Sequence, residues 1–589
     1  MPGVVAAVLL VLIRGVFPVV APGAEFFDTD AGLIGLMGGM ICALAIMLWW
    51  LFFSRATWSE RLGAFVVAVG VMVAVRSIAH PSIQNGMMGM LFFIYTIPIM
   101  TVALVVWASM TRSLVGAPRW IAMLVAFVLA ASTLAVLRTD GLLGSASEFA
   151  WRWTPTAEQQ LLAQVEEPPA VPVAAPIPAP ATASVPETAT PIVSPAVAEP
   201  VEPRVEWPGF RGTDRDGVVH GVTISTAWAT SPPVELWRRP IGPGWSSFAV
   251  SGDVLYTQEQ RGDDEIVAAY RVSTGAPVWR HKDAARFWES NGGAGPRGTP
   301  TIHRGRVYAM GATGIVNALD AATGKVMWTR NAAQDTGGTL PGWGFTSSPV
   351  VVDDVVIVAA SGTMAGYDLA TGNVRWVGPS QGGSYSSPQV MTIGGVTQVV
   401  LLSGTGATSV SPATGAVLWE HAWPGGSIVQ PAVTQDGDIV INSIAGTGGV
   451  GTRRLAVTGG ASGWTVAERW TSIGLKPYFN DFVVHQGFAY GFDGNILACI
   501  DLADGTRKWK GGRYGNGQMV LLADQNLIMV LSEEGEFALV NANPAGFKEL
   551  ARIQVLDSKT WNHPVVVGDL LLVRNGEEMA AYRLPVVGR

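Results

Sequence analysis

The sequence predicts an all-β, eight-bladed β-propeller, with seven blades as the alternative, preceded by an α-helical transmembrane block. Three observations predict it. Five apolar runs fill the first 140 residues. A Pro-rich stretch follows, with 11 prolines between Pro168 and Pro203. From Val205 onward a short phrase ending in Trp recurs, its tryptophans 39 to 51 residues apart. The domain boundaries are therefore 1–140 for the membrane block, 141–204 for a periplasmic Pro/Ala-rich linker and 205–589 for the propeller.

Composition narrows the classes. Of 589 residues, 49% are hydrophobic and 14% charged, against about 25% charged in an average soluble domain. A single compact soluble domain does not fit that excess of apolar residues. The two cysteines, Cys42 and Cys499, lie too far apart in sequence for a disulfide scaffold. The formal charge of −7 offers no basic face for nucleic acid.

The membrane runs are Gly3–Val20, Gly32–Phe53, Leu62–Val75, Met87–Ala108 and Trp120–Leu137. A spanning helix needs about 20 residues, which the second, fourth and fifth runs supply. The third is short, and the first carries Arg14 near its middle. The first run reads as a retained helix rather than a cleaved signal peptide, because it lacks a basic leading region. Arg55 and Arg61 lie in one connection and Arg112 and Arg119 in another. The positive-inside rule puts both in the cytoplasm. The chain then leaves the fifth helix on the outer face of a bacterial inner membrane and enters the periplasm. Arg76 and His80 read as snorkelling at an interface; no partner for Arg14 is evident. Within the linker, the stretch Pro168–Pro203 lacks Gly, Lys and Arg. As an extended polyproline form it would reach on the order of 100 Å at ~3.1 Å per residue.

The propeller phrase reads Leu319-Asp320-Ala-Ala-Thr-Gly324-Lys-Val-Met-Trp328, Tyr367-Asp368-Leu-Ala-Thr-Gly372-Asn-Val-Arg-Trp376 and Ile500-Asp501-Leu-Ala-Asp-Gly505-Thr-Arg-Lys-Trp509, with looser copies ending at Trp279, Trp419 and Trp470. The Gly takes the positive φ of a tight turn. Asp bonds the turn N–H groups. Trp falls on the next strand, where its ring wedges between blades. Eight small polar clusters precede Val-rich strands, at Ser246, Thr299, Ser347, Ser386, Gln430, Asn480, Gln518 and Asn562. That gives about 48 residues per blade, a propeller period. The last unit lacks its fourth strand, and Glu235-Leu236-Trp237-Arg238 supplies it, closing the ring without an open edge.

This repeat resembles the pyrroloquinoline-quinone (PQQ) type propeller repeat over roughly residues 205–589. The resemblance implies one of two kinds of function. Quinoprotein dehydrogenases bind PQQ and Ca²⁺ at the propeller axis, and the membrane-bound glucose dehydrogenases among them place five helices before a periplasmic propeller. Non-catalytic members, such as the lipoprotein of the outer-membrane assembly machinery, use the repeat as a binding scaffold. The vicinal Cys-Cys of alcohol and methanol dehydrogenases is absent here, and the blades lack the long insertions that build a dehydrogenase site. The segment Glu206-Trp207-Pro208-Gly209-Phe210-Arg211-Gly212 faintly resembles a quinoprotein N-terminal segment and reads as a packing motif.

Residues just before each inner strand converge on one mouth of such a ring. Trp245, Arg297, Tyr385, Asn480, Trp561 and His563 are the candidate cofactor-binding residues, offering flat faces, a guanidinium and amides to a planar anion such as PQQ. Asp481 and Glu259 are the candidate general bases or Ca²⁺ ligands. The polar run Gln258–Glu265 reads as a hairpin tip. The expected function is a non-catalytic binding or scaffold module held at the membrane, with envelope proteins as partners. The alternative is a PQQ-dependent dehydrogenase of sugars or alcohols that passes electrons to membrane quinone.

Overall fold

A computed structural model describes residues 2–16, 25, 26, 29–143, 146–164, 205–446, 448–460 and 463–586. The chain divides into two compact units, Met1–Thr156 with Trp288–Ala294, and Ala157–Phe287 with Gly295–Arg589.

The first unit is helical: α1 (Pro2–Val11), α2 (Ala31–Leu48), α3 (Trp58–Ile78), α4 (Pro81–Asn85), α5 (Leu91–Met110) and α6 (Ala117–Ser132). Wider π-type turns extend α1 over Leu12–Val16 and α2 over Trp49–Phe53. Among the described residues, three stretches are long and apolar enough to cross a membrane: Ile34–Phe53, Trp58–Ile78 and Leu91–Met110. The other two expected spans are shorter apolar helices, Gly3–Arg14 and Ala117–Ser132. Both Arg-bearing connections lie at one end of the bundle, where Arg119 pairs with Glu60 at 3.3 Å. Arg61 caps the end of α2, donating to the carbonyls of Leu51 and Ala56 at 2.8 and 3.0 Å and to that of Ser54. Arg14 has a partner after all: its guanidinium lies 4.4 Å over the Tyr95 ring, a cation–π contact. The expected linker does not start at 141. Leu137–Leu143 pairs with Ala146–Trp151 as a hairpin, and Ala157–Ala163 is helical. The Pro-rich stretch itself lies outside the described residues.

The second unit is a ring of eight four-stranded antiparallel blades. Their inner strands are Ala249–Ser251, Thr301–His303, Val350–Val352, Gln389–Ile393, Ala432–Val433, Val483–His485, Gln518–Leu522 and Val565–Val567. Seven of them directly follow the small polar clusters, and Gln518 itself opens the seventh. Strand Val234–Pro240 pairs with Glu578–Arg583 as the outer strand of blade 8, with Trp237 opposite Ala581. The closure predicted from Glu235–Arg238 is thus observed. Arg238 holds it by bonding Glu578 at 2.6 Å, Glu235 at 2.9 Å and the Tyr582 hydroxyl at 2.8 Å. On the inner side of the same junction, buried Arg574 donates to the Thr257 hydroxyl and to the carbonyls of Gln258, Gly242 and Gly244.

The Trp wedge has a defined geometry. The indole N–H of each outer-strand Trp donates to a carbonyl in the turn of the next blade: Trp237 to Val272, Trp279 to Ala321, Trp328 to Leu369, Trp376 to Pro412, Trp470 to Leu502 and Trp509 to Asn543, all at 2.8–3.1 Å. Trp419 is the exception and bonds Gln398 of its own blade at 2.7 Å. The blade that follows it has a longer hairpin, Gly448–Gly460 with Gly463–Ser472, in place of the short turn.

In five blades the turn Gly, at 275, 324, 372, 415 and 505, lies under the preceding blade's indole. Gly372 has φ +71°, and a Cβ there would come within 2.5 Å of the Trp328 ring. Gly372→Ala is therefore expected to cost about 2–4 kcal/mol, from left-handed strain and overpacking together. A lowered thermal midpoint of the purified chain checks this, and an unchanged midpoint would refute the wedge account.

Candidate functional site

The inner strands converge on the axis, and their backbone N–H and C=O groups need partners there. The chain supplies them from its own segment 205–219. Val205–Trp207 pairs with the inner strand of blade 1 and Val218–Val219 with that of blade 7. Between them the Pro208 carbonyl accepts from Ile302 N–H at 2.7 Å in blade 2, and the Asp214 carbonyl from Gln389 at 3.1 Å in blade 4. Arg215 donates to the Ser348 and Pro349 carbonyls of blade 3 at 3.1 and 3.0 Å. Arg211 donates to the Phe482 carbonyl of blade 6 at 2.7 Å. Phe210 packs edge-on to His563 of blade 8 with ring centroids 5.8 Å apart. A segment reaching the inner strands of seven blades lies on the axis and fills it. The motif Glu206–Gly212 is thus a packing element, as expected, and its partner is the channel.

Asp481 sits inside this core. Its carboxylate is 3.2 Å from Arg211 Nε and 3.4 Å from His563 Nε2, with all three side chains at most 3% exposed. Burial pushes the Asp481 pKa up and Arg211 opposes it. Burial and the same guanidinium push His563 down to about 3, so its ring stays neutral at physiological pH. The His563 Nδ1 side faces the Pro564 carbonyl at 3.0 Å.

Glu259 lies elsewhere, in blade 1, fully buried. It accepts from Tyr270 O–H at 2.5 Å and Gly242 N–H at 2.5 Å, and Arg261 Nε is 3.1 Å away. Burial works to raise its pKa, but Arg261 and these bonds bring the net shift down. It shares no partner with Asp481 in these contacts. The run Gln258–Glu265 is not a hairpin tip throughout. Gln258, Glu259 and Gln260 are buried strand residues, and the turn is confined to Gly262-Asp263.

At the mouth the structure brings together more aromatics than the sequence indicated. Trp245 and Trp561 lie 4.8 Å apart, Trp561 and Phe479 4.9 Å, Phe479 and Tyr478 5.2 Å, Tyr478 and Trp343 6.2 Å, and Trp343 and Tyr385 4.9 Å. This row of half-buried rings crosses from blade 8 to blade 4 over the filled axis. Lys559 lies 4.3 Å above Trp561, whose indole N–H donates to Glu533 at 2.7 Å. Arg297 stacks on Phe287 at 5.2 Å. Asn480 is committed to the local turn, accepting from Tyr478 N–H at 2.9 Å and donating to the Gly494 carbonyl at 3.1 Å. Trp343, Phe479, Lys559 and Glu533 were not foreseen. Lys559 lies two residues before the expected Trp561, close enough to the Asn562 strand start for its position to mark it.

The donor set does not fit Ca²⁺, which takes six to eight oxygens. The Asp481 carboxylate faces a guanidinium, the Asn480 amide is used locally, and no group of three or more His, Cys, Asp or Glu suited to a metal occurs among the described residues.

Fold and axis together define a propeller of the PQQ-repeat type. The model of a family described as "Outer membrane protein assembly factor BamB" matches residues 263–511. Among relatives, the chain is 24% identical over 353 residues to an outer membrane protein assembly factor BamB of Yersinia pestis, covering 57% of this chain and 76% of that one. It is 38% identical over 94 residues to a lanthanide-dependent methanol dehydrogenase of Methylacidiphilum fumariolicum, covering 14% of this chain and 15% of that one. The crystal structure of BamB from Moraxella catarrhalis aligns at 15% identity with a TM-score of 0.44, covering 60% of this chain and 98% of that one.

Two outcomes follow from the buried charges. Arg211→Met strands Asp481 and is expected to cost about 3–5 kcal/mol, while the double variant Arg211→Met/Asp481→Leu recovers part of the loss in a thermal or denaturant melt. Glu265 accepts from Ala312 N–H and the Thr313 hydroxyl at 2.9 and 3.0 Å, and burial pushes its pKa from the ordinary 4.5 up to about 7. The folded chain holds this proton more tightly than the unfolded chain. The resulting stabilisation is complete below pH 4.5 and is lost as pH rises through 7. Glu265→Gln, which keeps an acceptor oxygen without the charge, should melt above the parent under mildly alkaline conditions and level with it in acid. A lower midpoint at both ends would contradict the assignment.

Proposed function

We propose that this chain is a membrane-anchored, extracytoplasmic propeller that acts as a non-catalytic binding scaffold for envelope proteins. One observation carries the reading. The axis, where the quinoprotein branch is expected to hold its cofactor, is filled by Phe210, Arg211 and Arg215, and the candidate base Asp481 is paired with Arg211. The names of the Yersinia pestis relative and of the matching family favour the same branch. The binding face in this reading is the aromatic mouth, where Trp343, Tyr385, Phe479 and Trp561 offer broad apolar faces and the buried Lys559 supports the Trp561 ring. Half-buried aromatics beside a cation are typical anchors of protein interfaces. The apolar N-terminal helices serve as the anchor, with the propeller on the periplasmic side of the inner membrane. The dehydrogenase reading draws support from those same helices, which exceed what a simple anchor needs.

The test separates the two. The full chain in detergent is mixed with PQQ and Ca²⁺, then assayed for bound chromophore and for dye-linked oxidation of glucose and ethanol. The scaffold reading expects no chromophore after desalting and no dye reduction, and turnover would overturn it. Photo-crosslinking in native membranes should give discrete envelope-protein adducts from position 343 and none from Val374 on an outer strand. Identical patterns from both positions would remove the mouth as the binding face.

A further inference from the structure

The outermost strand of blade 6, Arg507–Arg513, reads Arg-Lys-Trp-Lys-Gly-Gly-Arg: four cations and no acid in seven residues. Among the described residues, no other outer strand of the ring has this composition. Blade 4 has Val-Leu-Trp-Glu-His-Ala and blade 7 Glu-Leu-Ala-Arg-Ile-Gln. Lysine is scarce in the chain, and three of its seven lysines, Lys476, Lys508 and Lys510, lie in this blade or at its entry.

Three of these cations meet on one carboxylate. Lys476 Nζ lies 2.9 Å from Asp493 Oδ1, while Arg507 and Lys510 lie 2.6 and 3.0 Å from Oδ2. Asp493 is 5% exposed and its three partners 38%, 42% and 25%. The acid is enclosed while the cations keep an open side. Lys508 turns to Asp501 at 3.6 Å and takes no part. One negative charge against three positive ones leaves two uncompensated at hydrogen-bonding distance from a common point. A carboxylate or a phosphodiester would cancel only one of them. A phosphomonoester carries about −1.5 to −2 at neutral pH and presents oxygens suited to a guanidinium and two ammonium groups.

We propose that Lys476, Arg507 and Lys510 form an anion site on blade 6 that binds a phosphate dianion, either free or as a phosphomonoester headgroup. The site is remote from the axis, and its failure would leave the scaffold reading untouched.

The test uses the full chain in phosphatidylcholine nanodiscs, titrated with inorganic phosphate by calorimetry at low ionic strength. Saturable binding is expected, weakened at least about fivefold by Lys476→Ala or Lys510→Ala and unchanged by Lys325→Ala on blade 2. Asp493→Asn removes the competing carboxylate and should tighten binding; a purely structural ion network predicts a lower melt with no gain. In discs containing phosphatidic acid, loss of the phosphate heat identifies the headgroup as occupant, and retention identifies free phosphate. No saturable binding, equal binding by the Lys510→Ala variant, or acetate binding as well as phosphate would each overturn the proposal, the last in favour of an acidic peptide.

Discussion

The ring rests on one repeated contact, an indole laid over a glycine turn in the neighbouring blade. A four-stranded blade has two apolar faces and no core of its own, so its stability comes from stacking. The Trp ring supplies buried area, and its N–H supplies a directional bond to the next turn. The turn must be Gly twice over, once for its positive φ and once because a Cβ would strike the ring. The same residue pair therefore fixes strand order, blade spacing and inclination. The contact joins five neighbouring pairs of blades, and one of them is the closure, where strand Val234–Pro240 returns to blade 8 and brings Trp237 over Gly275 and against Val272.

Closing eight blades creates a problem at the centre. The inner strands begin near the axis with N–H and C=O groups that no neighbouring strand can satisfy. A narrow polar channel can hold water, a ligand or the chain itself. This protein uses the chain. Arg211 and Arg215 both adopt left-handed backbone conformations, with φ +63° and +56°, which costs energy for a residue with a Cβ. Their guanidiniums compensate by donating to the Phe482, Ser348 and Pro349 carbonyls. Asp481 balances Arg211, whereas Arg215 donates only to these neutral carbonyls. A channel committed in this way has its polar capacity spent inward, and recognition shifts to the mouth and the rim.

The blades were legible in the sequence because each one repeats a local rule. The phrase Asp-x-x-Thr-Gly-x-x-x-Trp acts within ten residues, and every polar cluster before a Val run preceded or opened an inner strand. The site was less legible because it is made by convergence. Arg211 and Phe482 meet across 271 positions of sequence, and no spacing rule links them. Asp481 and His563 stand at strand starts, as the polar clusters indicated, but the cation paired with Asp481 came from a segment read only as packing. Alternation along a strand also does not tell which polar residues face a neighbour. Gln258, Glu259 and Gln260 looked like a solvated tip and are instead buried between hairpin strands. In the helical unit the apolar runs were plain, while Tyr95 as the partner of Arg14 required the tertiary fold.

Charge balance separates structural networks from available ones. On the closing strand, Arg238 is met by Glu235, Glu578 and the Tyr582 hydroxyl. Between blades 5 and 6, Arg454 is met by Asp436 and Asp438, with Arg469 also on Asp438 at 3.2 Å. In both places the acids match or outnumber the arginines they hold. Such sets are internally complete and need no further ion. The cations on Asp493 exceed it three to one, on a chain whose net charge is −7. Partial exposure lets water and counterions screen that excess, so the fold tolerates it. Screening is also what a bound anion would replace, and the gain on replacement grows with the number of donors already held in place. Asp493 brings three of them together, but its own negative charge opposes a bound anion, so a neutral isostere that keeps the packing removes that opposition.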